Sequence, residues 1–336
     1  MINFTDITTW HFVTELDIIE IDSENDVTFS ITDSNSDVVL SSTYTPVDDK
    51  VRIYHITKLL KPIIGGITAD FTFTAGSTAK TVHVVQSAIE VSEGAATFLD
   101  SFFLSTVMSE RDTSLDRKEI LTFISTAGSD TVSAACTYWD GTQVVTATKS
   151  ITATVTAGVP CEIDASASNF TDNTKGELVA YVITAGGRSM KFRVTSLPKC
   201  EYAMAMYNNF GAWDIVYMAG SSENAPEYTR ETAMIYGALA QYNLEEVMTR
   251  KSYTGPLRPS GVALAYDLAR SNNVWQIKSD GNIPIVITAV DVKYTTEDDT
   301  IPDFTFTWQR GSIIGSSLET VRPPRLFDDT FDETYE

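Results

Sequence analysis

The sequence predicts a mainly β protein: two to three consecutive β-sandwich-like domains, one or two short helices and an extended C-terminal arm. Three observations lead there. Apolar residues alternate with Thr and Ser through short runs, as at Val27, Phe29 and Ile31 or at Phe71 and Phe73, and a period of two marks strands. Turn residues return at about ten-residue spacing, the rhythm of sandwiches and barrels. The 336 residues, 43% hydrophobic and 10% aromatic, are globular in composition and ample for several cores.

Residues 1–87 read as an N-terminal β-sandwich-like domain. Asp33-Ser34-Asn35-Ser36-Asp37 and Ala75-Gly76-Ser77-Thr78 are turns between its strands. His55–Leu60 predicts a short helix, ended by Pro62 and Gly65-Gly66, that closes one end of the sandwich. Residues 88–198 read as a middle β-sandwich domain. Its strands are Ile120–Ile124, Val132–Tyr138, Gln143–Val155, Val159–Ile163, Leu178–Ile183 and Met190–Val194, with Asp140-Gly141 as a hairpin turn. The charged stretch Arg111–Glu119 is expected to be a solvated loop.

Residues 199–318 read as a C-terminal β domain with one helix. Tyr202, Met204 and Met206 fall on one side of an alternation, with Ala203, Ala205 and Tyr207 on the other. Asn208-Asn209-Phe210-Gly211 then turns the chain into the apolar run Asp214–Ala219. The expectation is a core hairpin with no reactive group, and Trp213 and Trp275 are expected in the core. Tyr228–Tyr253 fits both helical and alternating spacing; its Tyr and Thr content favours strand. Pro259-Ser260 opens a helix running to Ala269, with Ser260 as the expected N-cap. Val274–Ile277, the Asp280-Gly281 turn and Ile283–Tyr294 form a second hairpin, and Phe304, Phe306 and Trp308 close the sheet.

An order of loose motifs runs through this third region. It starts with Asn208, Phe210, Gly211 and Asp214, then Gly220, then a Tyr-rich segment ending Tyr253-Thr254-Gly255-Pro256-Leu257. Ser271, Val274, Asp280-Gly281, Ile285, Ile287, Thr288 and Lys293 follow. The order, from about Cys200 to Trp308, resembles structural proteins of phages and prophages of Bacteroidetes, including crAss-like phages. Tyr44-Thr45-Pro46 leading into Val51–Leu60 is a weaker second match. The resemblance implies a tail-type virion component assembled in the bacterial host cytoplasm: a ring, adaptor or baseplate-type connector. Its implied partners are other virion proteins and copies of itself in a homo-oligomeric ring. It brings no catalytic residues with it.

Charge and motif content narrow the function classes. A net charge of −21 opposes binding a nucleic-acid backbone or an anionic membrane surface. Met1–Asp6 has no basic n-region, and no window reaches the ~20 apolar residues of a membrane helix, so neither signal peptide nor span is expected. Cys136, Cys161 and Cys200 are odd in number and far apart, which fits small buried hydrophobes in a reducing compartment. His11, His55 and His83 lie in unrelated elements. Asp22, Glu24 and Asp26 imitate a calcium loop, but Val27 stands where its Gly belongs. Glu297-Asp298-Asp299 reads as a solvated acidic cluster. No cofactor, metal or enzymatic activity is expected.

The last segment, residues 319–336, differs from the rest. Arg322-Pro323-Pro324-Arg325 is extended. Beyond it, acids interleave with Leu326, Phe327, Phe331 and Tyr335. These four are the candidate interface residues of a docking arm, since aromatic anchors favour interfaces. A competing reading is a carbohydrate- or receptor-binding module of a fibre or cell-surface protein, with Trp139, Trp213 or Trp275 as its platform.

Overall fold

The computed structural model describes residues 2–197, 200, 202–236, 238–278, 281–293 and 302–310. The chain is mainly β, with its strands in several sheets. The first strands are β1 (Asn3–Phe4), β2 (Trp10–Phe12), β3 (Ile18–Asp22), β4 (Val27–Asp33), β5 (Val38–Tyr44) and β6 (Lys50–Tyr54). Helix α1 (Ile56–Leu60), β7 (Thr68–Ala75) and β8 (Thr78–Val85) follow. A three-stranded sheet, β1-β3-β6, faces a five-stranded one, β2-β8-β7-β4-β5. Alternation decides which faces meet: Ile19, Ile21, Val51 and Ile53 of the first bury against Phe29, Ile31, Phe71 and Phe73 of the second. Ile56 and Leu60 of α1 plug the same core.

The middle segment opens with α2 (Ala95–Ser101), a helix the sequence reading lacks. Its Ala95, Phe98 and Leu99 are buried, but about two turns are too short to stand out as a helical period. Three α-helices therefore occur among the described residues, not one or two. Strands β9 (Glu110–Thr113), β10 (Ile120–Ile124), β11 (Val132–Trp139), β12 (Val144–Ile151), β13 (Pro160–Asp164), β14 (Glu177–Ala185) and β15 (Arg188–Val194) come next. The pair β10-β13 packs on the sheet β12-β11-β14-β15-β9. Every second residue of β11 faces this core: Val132, Ala134, Cys136 and Tyr138. The Tyr138 and Tyr181 hydroxyls donate to the carbonyls of Phe170 and Ala165, each at 2.6 Å, so neither is buried unpaired.

The third segment comprises β16 (Tyr202–Tyr207), β17 (Trp213–Met218), β18 (Ser222–Ile235), β19 (Ala238–Tyr253), α3 (Pro259–Arg270), β20 (Val274–Ile277), β21 (Ile283–Lys293) and β22 (Asp303–Arg310). They form one seven-stranded sheet, β17-β16-β20-β21-β22-β19-β18, with α3 packed on its inner side. Met204, Met206, Met218, Phe304, Phe306 and Trp308 fill the space between them. Helix α3 starts earlier than expected. Arg258 is its N-cap and Pro259 its first residue, because proline's fixed φ suits a position whose N–H has no intrahelical partner. Ser260 therefore lies inside the first turn and is not the cap.

A fourth cluster joins the three segments. Phe12 of β2, Phe98 of α2 and Phe210 of the β16–β17 turn form a ring triad, with centroids 5.1 to 5.6 Å apart. Ile124 of β10 and Leu104 pack against it. Gly211 lets the turn enter this crowd: it sits at φ +73°, and a Cβ there would lie 3.2 Å from the Gly66 carbonyl oxygen.

Candidate functional site

The β16–β17 turn is more than a core hairpin. Asn208 folds it: its Oδ1 accepts from the backbone N–H groups of Phe210 at 2.9 Å and Ala212 at 3.1 Å. Its Nδ2 donates to the Leu104 carbonyl at 2.8 Å and to Asp214 Oδ2 at 3.1 Å. Asp214 lies on the face of β17 that meets α3 and β9, and it receives the Arg111 guanidinium as a fork, at 2.7 and 3.2 Å. Ser105 Oγ accepts from the same guanidinium at 2.6 Å.

This corrects the solvated loop expected at Arg111–Glu119 at its two ends, while Leu115, Asp116 and Lys118 between them are exposed and lie in a loop. Arg111 belongs to β9, whose parallel pairing with β15 draws it inward, and it is 3% exposed; Glu119 is also buried. A buried guanidinium persists only when paired and hydrogen-bonded. Asp214 meets that need from another part of the chain, so local composition could not reveal it.

Two further carboxyls border the pair. Glu119 lies 3.7 Å from Arg111, beyond a direct bond, and the guanidinium is already committed to Asp214. Burial therefore prevails and pushes the Glu119 carboxyl from the ordinary 4.5 up to about 7. Asp267 of α3 accepts from Thr106 Oγ1 at 2.7 Å and from the Asn209 amide. Burial raises it from 3.8 to about 6. Both carboxyls hold protons more tightly folded than unfolded. Their contribution is complete below about pH 4 and is lost as pH rises through the folded values of about 6 and about 7. Stability from these groups thus falls between pH 4 and 7 and levels off above. Glu119→Gln removes the larger part, flattening a pH series of urea-derived unfolding free energies by roughly 1–3 kcal/mol over that window. An unaltered slope would contradict the assignment.

At the far end of the same sheet, β18 and β19 leave the body of the protein as a two-stranded ribbon. They pair from Ser222↔Ser252 to Ile235↔Ala238. Only Arg250–Tyr253 of β19 also pairs with β22. From Ala225 to Ile235 the ribbon extends roughly 35 Å, at about 3.3 Å per residue. Its tip is apolar: Met234 and Leu239 stand directly opposite each other and are 67% and 71% exposed. Tyr236 is fully exposed and has φ +50°. That conformation is unfavourable for a bulky side chain, where Gly or Asn is usual, and such strain concentrates at functional positions.

A second feature opens where the three segments meet. It is a cleft of about 680 Å³, lined among others by Gly65-Gly66, Gln86, Tyr207, Trp213 and Asp267. Trp213 and Trp275 are half-buried, not core residues. They point away from α3 and cluster with Tyr207, the three centroids 4.6 to 5.3 Å apart. Trp139 is exposed on the middle segment.

Leu326, Phe327, Phe331 and Tyr335 lie outside the described residues, as does Glu297-Asp298-Asp299. The histidines are dispersed: His11 bonds Glu15 at 3.1 Å, His83 bonds Asp70 at 2.6 Å, and His55 precedes α1 at φ +65°. Cys136, Cys161 and Cys200 form no disulfide among the described residues, and Arg117 donates to Cys200 Sγ at 3.3 Å. Among the described residues, no group of three or more His, Cys, Asp or Glu could hold a metal ion. No helix among them is long and apolar enough to cross a membrane.

No family model matches the chain, and no curated protein matches it. Among solved structures, a plexin A4 full extracellular region aligns over 94% of this chain at 7% identity and TM-score 0.17. The match spans 32% of that plexin chain; at this score it carries no argument.

Proposed function

We propose that this chain is a structural component of a phage virion tail, a ring, adaptor or baseplate-type connector, acting through protein–protein interfaces in an oligomeric assembly. The observation that carries the reading is the β18–β19 ribbon. A lone two-stranded ribbon is marginal in water, and this one ends in exposed Met234, Tyr236 and Leu239. It gains stability by lying on a neighbouring subunit, where an aromatic and two aliphatic anchors meet an apolar surface.

Other features support the same reading. The motif residues Asn208, Phe210, Gly211 and Asp214 hold the three segments together. A rigid body of that kind transmits load from one interface to the next. The net charge of −21 keeps free copies soluble before assembly.

Size-exclusion chromatography with light scattering tests the reading. A defined homo-oligomer is expected, and a monomer at every concentration would overturn it. The C-terminal arm is a separate element, argued from sequence alone. Deleting Arg322–Glu336 removes Leu326, Phe327, Phe331 and Tyr335, each worth ~2 kcal/mol if buried at a contact. The deletion is expected to weaken association at least tenfold; an unchanged oligomer would exclude a docking arm.

A further inference from the structure

None of the residues lining the cleft at the junction belongs to the β18–β19 ribbon, and its chemistry is different from the ribbon's. One wall is aromatic. Tyr207 and Trp213 are cross-strand partners, and Trp275 on β20 backs Trp213 at 4.8 Å. Their rings present planar apolar faces with polar edges. The Gly65-Gly66 segment is another part of the lining, where a Cβ would meet nothing within 4 Å. Amides and a hydroxyl are part of the remaining lining, at Asn272, Asn273, Ser271 and Gln86, beside charged and apolar side chains.

Gln86 is the telling residue. Its Oε1 is buried and accepts no hydrogen bond, and a buried acceptor left unpaired costs about 1–3 kcal/mol. That oxygen is closed off from the cleft, so a donor there reaches it once the Gln86 side chain turns outward. The floor, in contrast, is already complete, because both Asp267 oxygens are bonded internally.

The lining also selects the class of ligand. Lys61 and Arg270 are balanced by Glu162 and Asp267, so no excess positive charge awaits a phosphate chain. The amide-rich rim does not suit a lipid. Flat rings beside amides and a donor-seeking carbonyl fit a ring that is apolar on its faces and hydroxylated at its edge. A cavity of about 680 Å³ lies within the ~300–1,000 Å³ of ligand sites, and junctions between segments are where such sites occur. We propose that this cleft binds an uncharged oligosaccharide, with a sugar ring stacked on Trp213 and Tyr207 and a hydroxyl donating to Gln86.

The test is isothermal titration of the full chain with cellohexaose, chitohexaose, xylohexaose, mannohexaose and laminarihexaose. At least one is expected to bind. Trp213→Ala should then weaken it at least tenfold. Gly65→Leu, which fills the open wall without touching the rings, should do the same with the thermal midpoint unchanged. Trp139→Ala, on the exposed face of the middle segment, should leave binding intact. Absence of binding by all five sugars would overturn the proposal. So would binding that survives both cleft variants or is lost with Trp139→Ala. The oligomer measurement above is independent of each of these outcomes.

Discussion

Arg111→Ala is expected to destabilise the folded chain by about 3–5 kcal/mol, the cost of leaving one partner of a buried ion pair uncompensated. Arg111 and Asp214 are 3% and 2% exposed. Their forked contact at 2.7 and 3.2 Å joins β9 of the middle segment to β17 of the third. Without the guanidinium, the Asp214 carboxylate keeps Asn208 and Ser105 but loses its only buried cation among the described partners. Asp214→Asn should cost less, since Arg111 keeps Ser105 and has Glu119 at 3.7 Å as a second carboxyl. The double variant Arg111→Met/Asp214→Asn should recover part of the loss, because neither member of the pair then leaves the other's charge uncompensated. Urea unfolding of the four proteins measures this. A single-variant loss under about 1 kcal/mol, or strict additivity in the double variant, would mean that the pair does not lock the segments.

Met234→Asp/Leu239→Asp is expected to abolish self-association while leaving the unfolding midpoint nearly unchanged. The two side chains face each other across the ribbon and are mostly exposed in the isolated chain. Removing them forfeits little internal packing. At an interface each would contribute ~2 kcal/mol, and two buried carboxylates add a desolvation penalty. A rise in the dissociation constant of at least a hundredfold follows, read by light scattering across a dilution series. Tyr236→Gly should act in the opposite direction on folding, relieving left-handed strain at φ +50° while weakening association. An oligomer that tolerates the double aspartate would place the contact elsewhere and remove the ribbon's role.

Part of the site was visible in the primary structure. Asn208-Asn209-Phe210-Gly211 announced a turn, and the motif order singled out Asp214, whose bond to Asn208 holds that turn. A signal for the lock was also present: Asp214 and Asp267 are lone acids in apolar surroundings, Trp213-Asp214-Ile215-Val216 and Ala265-Tyr266-Asp267-Leu268. An acid is rarely buried without a partner, so each points to one. The partners themselves were illegible. Arg111 is 103 positions from Asp214, and it sits in a charged run that looks solvated by composition. Trp213 and Trp275 were misplaced for a related reason: alternation tells which residues share a face, not whether that face is covered.

The residues alone determined the class of the fold, because strand alternation and turn chemistry are local and act within a few positions. For Tyr228–Tyr253 they left helix and strand both open, with Tyr and Thr content favouring strand, and gave no sign of the turn that divides it into β18 and β19. Tertiary structure alone decided that those strands leave the sheet as a ribbon, that Arg111 and Asp214 meet, and that three segments enclose one cleft. Each of these depends on contacts between positions far apart in the chain, and such contacts are selected by packing and charge pairing, not by neighbours in sequence.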